Sequence, residues 1–163
     1  GLTERYGTDY KHEMLTRAVA DRHFDVIMLA LNIFNQTALK SVLPQAKAND
    51  LGTMGVFAVR GPLARIESAL KLLRKLVESG EIDAADLDPD RPLDFLLEKG
   101  VATTLPDAAF RFTRHAPGID MVLFGTGNIE HVREDVASLN SAPLPVATLE
   151  RLHYLSRNVM SDV

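Results

Sequence analysis

Two textures of hydrophobic and polar positions alternate along the chain. Short, largely apolar runs occupy residues 25–31 (apolar after Asp25), 53–59 (after Thr53) and 120–124 (after Asp120). Continuous rather than alternating apolarity suits parallel strands covered on both faces. Between them lie longer stretches in which apolar residues return every three or four positions. Residues 11–22 predict a helix with Met14, Leu15, Ala18 and Val19 on one stripe, and residues 37–49 predict a second that starts or bends at Pro44. Residues 63–79 read as an amphipathic helix stopped by Gly80. An acidic loop over 81–90 precedes two further helices at 92–98 and 106–114. After the third apolar run, Gly125-Thr126-Gly127-Asn128 opens a helix reaching about Leu139. The turn Pro143-Leu144-Pro145 leads into a last helix over 148–157. Gly1-Leu2-Thr3 reads as the tail of one more strand.

Strands alternating with helices imply an α/β fold built of parallel β/α units. A complete TIM-type (β/α)8 barrel takes about 250 residues, roughly 30 per unit. Three strands and a stub in 163 residues make about four units, over residues 1–163 as one domain. Half of a barrel and a small open α/β sheet both satisfy that count.

Composition narrows the function classes. With 46% hydrophobic and 25% charged residues and a net charge of −4, the chain has ordinary globular character and no electrostatic reason to meet nucleic acid or an anionic membrane. The apolar stretch at 26–31 is far too short to span a bilayer. The absence of cysteine excludes disulfides and thiolate chemistry and fits a reducing compartment, so a cytoplasmic location is expected. His12, His23, His115 and His153 share no metal spacing with acidic neighbours and read as surface or loop histidines. Asp83, Asp86, Asp88 and Asp90 lack the glycine turn and closing glutamate of a calcium loop and read as solvated. Lys71, Arg74 and Lys75 make a solvated outer edge on their helix.

Three segments, in order, resemble the aldo/keto reductase family. Gly1-Leu2-Thr3-Glu4 resembles that family's fifth-strand motif Gly-Val-Ser-Asn. Phe24-Asp25-Val26 through Asn32-Ile33-Phe34-Asn35 resembles the sixth strand. Gly118 through His131, followed by Glu134-Asp135, resembles the eighth strand and its loop, P-G-V-D-x-V-L-x-G-T-x-N-x-E-H-x-x-E-N. The resemblance runs from residue 1 to about 158. It implies the second half of the barrel, strands five to eight, with extra helices after the seventh.

The resemblance also implies a division of labour. The family's proton-donating tyrosine and its aspartate, lysine and histidine partners stand on the first four strands. No catalytic residue is therefore assigned in this chain, and Tyr6, Tyr10 and Tyr154 are not given that role. The second half supplies cofactor contacts, with NADP as the implied cofactor and NAD possible. Thr3 matches a serine that hydrogen-bonds the nicotinamide carboxamide, whereas Glu4 replaces an asparagine and, ionised, cannot donate. Met28 replaces a glutamine and offers a soft apolar surface. In Ala58-Val59-Arg60-Gly61-Pro62-Leu63, Val59 or Arg60 takes the place of the stacking aromatic residue, and the Arg60 guanidinium can lie on a ring or pair with pyrophosphate. Gly125, Thr126, Gly127 and Asn128 match the phosphate loop, where a helix N-terminus with Asn128 as its cap offers free N–H groups. His131, Glu134 and Asp135, at i, i+3 and i+4 on one helical face, match adenosine-contacting residues.

The implied activity is hydride transfer between a nicotinamide and a small carbonyl substrate, completed by the N-terminal half of the barrel or a second copy of the chain. A non-catalytic nucleotide-binding or assembly module is the alternative, and an unrelated open sheet the third.

Overall fold

The computed structural model describes residues 1–4, 9 and 11–160; Tyr6 and Tyr10 lie outside them. Four strands, β1 (Leu2–Thr3), β2 (Val26–Ala30), β3 (Gly52–Val56) and β4 (Met121–Val122), pair parallel in the order β1-β2-β3-β4. A strictly sequential order is that of a barrel wall. Doubly wound open sheets reverse direction at a switch point, and this sheet does not.

Helices cover one face. They are α1 (Glu13–Asp21), α2 (Val42–Ala48), α3 (Ile66–Glu78), α4 (Leu105–Arg114), α5 (Ile129–Leu139) and α6 (Val146–Leu155), with 3-10 turns at Thr37–Leu39, Gly61–Ala64, Ala84–Asp86 and Asp94–Leu96. Ile27 and Leu29 point into the helical layer and are fully buried, in one core cluster with Leu15, Val19, Leu43, Leu73, Leu96 and Phe112. Side chains alternate across a strand, so the intervening residues face away. The register Thr3↔Met28↔Met54↔Met121 puts those four in a row on that second face. There Val26 is 37% exposed, Met121 56% and Leu123 45%.

Three elements differ from the sequence reading, two of them for a local reason. The apolar run 53–59 stops pairing at Val56, because Phe57 takes a positive φ of 63° that a strand cannot continue through. The helix expected at 92–98 is only the turn Asp94–Leu96. Leu93, Phe95 and Leu96 are buried as an irregular plug, so their apolarity reflects core filling rather than helical period. β4 pairs over two residues, Met121–Val122, of the expected 120–124.

Pro44 sits in the first turn of α2, where its missing N–H costs nothing. Register between β3 and β4 is clamped by side chains. Asp120 Oδ2 accepts from Thr53 N at 2.8 Å and from Thr53 Oγ1 at 3.1 Å, and Thr53 Oγ1 accepts from Asp120 N at 3.1 Å. Gly118 turns the chain into this clamp at φ +90°, and a Cβ there would stand 3.2 Å from that of Leu43. Only glycine satisfies both conditions.

Candidate functional site

At the C-terminal end of the sheet a cleft of about 760 Å³ opens between the loop after β3, the start of α4, and the loop from β4 into α5. Its walls include Arg60, Thr104, Asp107, Phe110, Gly125, Thr126, His131, Glu134 and Asp135. Barrels place their sites at this end, and the volume falls in the range of small-molecule pockets.

The β4–α5 wall is built by its caps. Asn128 is extended at φ −113°, and its Oδ1 accepts from Glu130 N at 3.0 Å. Thr126 Oγ1 accepts from Asn128 N at 3.2 Å and lies 3.4 Å from His131 Nδ1. The loop is thus folded onto the helix N-terminus it precedes, which carries the positive end of the helix dipole. Glu130 pairs with Arg133 at 2.5 Å on the outer side. Burial pushes the Asp135 carboxyl above its usual range, with Glu134 adding to the rise and His131 opposing it.

The opposite wall is α4. Thr104 caps it by accepting from Asp107 N at 3.1 Å, and Asp107 Oδ2 accepts from Thr103 N at 2.9 Å. Asp107 is buried, 3.6 Å from Arg111 Nη1. Phe110 packs edge-on against Phe124 with ring centroids 5.7 Å apart, joining α4 to the end of β4. Arg60 lines the cleft with its guanidinium carbon 4.9 Å from the Phe57 ring centroid. The ring it covers in this structure belongs to its own chain.

The residues singled out from sequence therefore separate into groups. Arg60, Gly125, Thr126, His131, Glu134 and Asp135 line one cleft. Gly127 and Asn128 shape its rim without lining it. Thr3 and Met28 are register partners on the open sheet face and are not among the cleft's lining residues. Thr103, Thr104, Asp107 and Phe110 were not legible as site residues; the signal available was the capping pattern Thr104-x-x-Asp107, which marks a helix start but not what it faces.

A second polar group lies beneath the same end of the sheet, and here the surface-histidine expectation is corrected. His12 is 1% exposed and Glu4 is 9% exposed. His12 Nδ1 is 2.5 Å from Glu4 Oε2 and Nε2 is 2.9 Å from Thr37 Oγ1. Glu4 Oε1 accepts from Ala30 N at the end of β2. His12 is in the left-handed region at φ 55°, ψ 35°, a conformation costing about 1–2 kcal/mol for a residue with a Cβ. Its buried bonds offset that cost. His153 is exposed, as the sequence reading has it; its Nδ1 is 2.6 Å from Gln36 Oε1, and partial desolvation together with Lys40 holds the imidazole below its ordinary value. Among the described residues no group of histidines and acids is arranged to hold a metal ion. Among them, too, no helix is long and apolar enough to cross a membrane. Tyr154 is exposed on α6 and donates to Asp86 Oδ1 at 3.2 Å.

No protein-family model matches the chain, and no curated protein sequence matches it. Solved structures do. The holo form of aldo-keto reductase AKR11C1 from Bacillus halodurans superposes with a TM-score of 0.66 at 16% identity, over 99% of this chain and 51% of that one. The apo form of the same enzyme gives 0.56 at 15% identity, over 91% and 49%. The chain spans about half the length of these structures, and its parallel α/β architecture is that of part of an aldo-keto reductase barrel.

Proposed function

We propose that this chain is the cofactor-binding half, strands five to eight, of an NAD(P)H-dependent aldo/keto-reductase-like oxidoreductase in the cytoplasm. The observation that carries the reading is the convergence of Arg60, Thr126, His131 and Asp135 on one cleft at the C-terminal end of a barrel-type sheet. The donor set suits a dinucleotide. The capped start of α5 and the hydroxyl of Thr126 suit a phosphate, Arg60 suits a second phosphate contact from the loop after β3, and Glu134 and Asp135 suit ribose hydroxyls. When bound, the cofactor supplies hydride from C4 of its nicotinamide to a small carbonyl substrate. In this chain the residues bind and orient; the proton for the carbonyl oxygen comes from an acid on the other half of the barrel, and the 163-residue chain alone is inactive.

The open face supports the partner part of the reading. Val26, Met121 and Leu123 on the sheet, and Ile129 and Val136 seven residues apart on α5, are exposed. An eight-stranded barrel would cover the sheet residues. The partner is four further β/α units, supplied by the N-terminal half of the barrel.

Discrimination between the two dinucleotides is modest. A 2′-phosphate carries roughly −1.5 to −2 charges, and α5 meets it with His131 flanked by Glu134 and Asp135 rather than a lysine or arginine fork. The test is calorimetric titration of the chain with NADPH and NADH, beside an absorbance assay with a generic aldehyde. Binding of both, with NADPH favoured less than about tenfold and no turnover, is expected. Absence of binding, or steady NADPH consumption by the pure chain, contradicts the reading.

A further inference from the structure

A second cavity, of about 250 Å³, shares no lining residue with the cleft. It is bounded by the segment entering α1, the loop and turn after β2, and the segment leaving α6, and its walls include Lys11, Gln36, Lys40, Ser41, Ser156 and Arg157. Three cations and no carboxylate line it. Two of its three bounding segments are strand-to-helix connections, the part of a barrel that carries its sites.

The uncharged polar groups of this cavity are engaged within the fold. Ser156 Oγ donates to Ile33 O at 2.9 Å, and Ser41 Oγ donates to Thr37 O at 3.0 Å. Gln36 Nε2 donates to Ile33 O at 2.7 Å, and its Oε1 lies 2.6 Å from His153 Nδ1. Both serine hydroxyls have thus spent their one hydrogen, so a ligand is held here by charge. The carboxylates attached to the same segments are committed elsewhere. Asp9 accepts from Glu13 N at 2.7 Å and from Met14 N at 2.8 Å at the start of α1. Glu81 accepts from Met160 N at 2.7 Å, and Asp86 pairs with Arg157 at 2.8 Å. Among the described residues Lys11 and Lys40 make no ion pair. The effect of that on a neighbour is visible. Partial desolvation lowers the His153 imidazole, and the Lys40 charge lowers it further, with no anion acting the other way.

We propose that this cavity is an anion site, separate from the cleft, that takes a phosphate group held by the Lys11 and Lys40 ammonium groups, with the Asp86-paired Arg157 as its wall. A phosphate monoester carries roughly −1.5 to −2 charges near neutral pH, which matches two unpaired ammonium groups. Lysine binds phosphate as a point charge and needs no planar fork to do so. The volume suits a compact anion or a phosphate on a carrier of a few atoms. The site is independent of the cofactor reading of the cleft.

Titration of the full chain at constant ionic strength and pH 7.5, followed by NMR of the His153 ring protons, tests the site. Inorganic phosphate should shift those signals saturably. It should also raise the pH midpoint of His153, because an anion beside Lys40 offsets the charge that lowers it. Lys11→Gln and Lys40→Gln should each weaken phosphate about fivefold, and the double variant should lose it. Arg60→Gln, in the cleft, should leave it unchanged. Glycerol 3-phosphate separates the two sources: tighter binding than inorganic phosphate assigns the site to small phosphate esters, and weaker binding assigns it to the free ion. Malonate, a dianion of different geometry, should bind more weakly than either, and equal affinity overturns the phosphate assignment. Phosphate affinity unmoved in the double variant, or a shift that chloride reproduces at equal ionic strength, overturns the site itself.

Discussion

At the residue scale, several polar side chains are tied to named partners in distant elements, and one of them titrates away from its ordinary value. That group is His153. Partial desolvation first, and Lys40 second, depress its imidazole below the ordinary value, while Nδ1 and Gln36 Oε1 join α6 to the loop after β2. The unfolded chain therefore binds the proton more readily than the folded one. Stability from this group is fully present above the unfolded value, about 6.5, and is lost as pH falls through the depressed folded value. We expect the melting temperature to fall between pH 7.5 and 5.5 and His153→Gln to flatten that fall, measured by circular dichroism. Parallel pH profiles for the two proteins would exclude the explanation. His12 shows why such groups escape a linear reading. Its partners, Glu4 and Thr37, stand 8 and 25 residues away, and no spacing rule links three such positions.

At the scale of elements, the sequence pattern placed all six α-helices, and most of them bury one stripe against the sheet. α3 and α4 bury Leu73, Leu76, Ala108 and Phe112 in this way. The weakly packed element is α5, which buries only Ser138. Its order depends on its cap more than on its core. Asn128→Ala removes the bond to Glu130 N and should cost about 1 kcal/mol, read from the urea midpoint. It should also weaken NADPH binding, with Asn128→Asp restoring the stability. A variant with unchanged midpoint and unchanged affinity would show that the cap holds neither the helix nor the cleft rim. The strand ends and the 92–98 segment were misjudged for opposite reasons. Phe57 leaves the β region although its side chain suits a strand, and Leu93, Phe95 and Leu96 fill the core without helical geometry.

At the scale of the whole molecule, four parallel strands covered on one face leave two unpaired edges and an apolar surface on the other. Such edges and patches favour association. The isolated 17.9 kDa chain should self-associate in light scattering at high concentration. Charge on the open face, as in Met121→Lys with Leu123→Lys, should lower its apparent mass. A compact, long-lived wild-type monomer would count against a surface that needs covering.

The order of strands and helices, their buried stripes, the α5 cap and the loop Gly125-Thr126-Gly127-Asn128 were determined by the sequence, since each depends on neighbours within a few residues. Tertiary structure alone decided three things. It brought Arg60 and Asp107 to the same cleft as His131, separated Thr3 and Met28 from that cleft onto the open face, and buried His12 against Glu4. All three depend on which strands lie side by side and which face each side chain takes. Pairing across tens of residues sets those, and no local pattern encodes it.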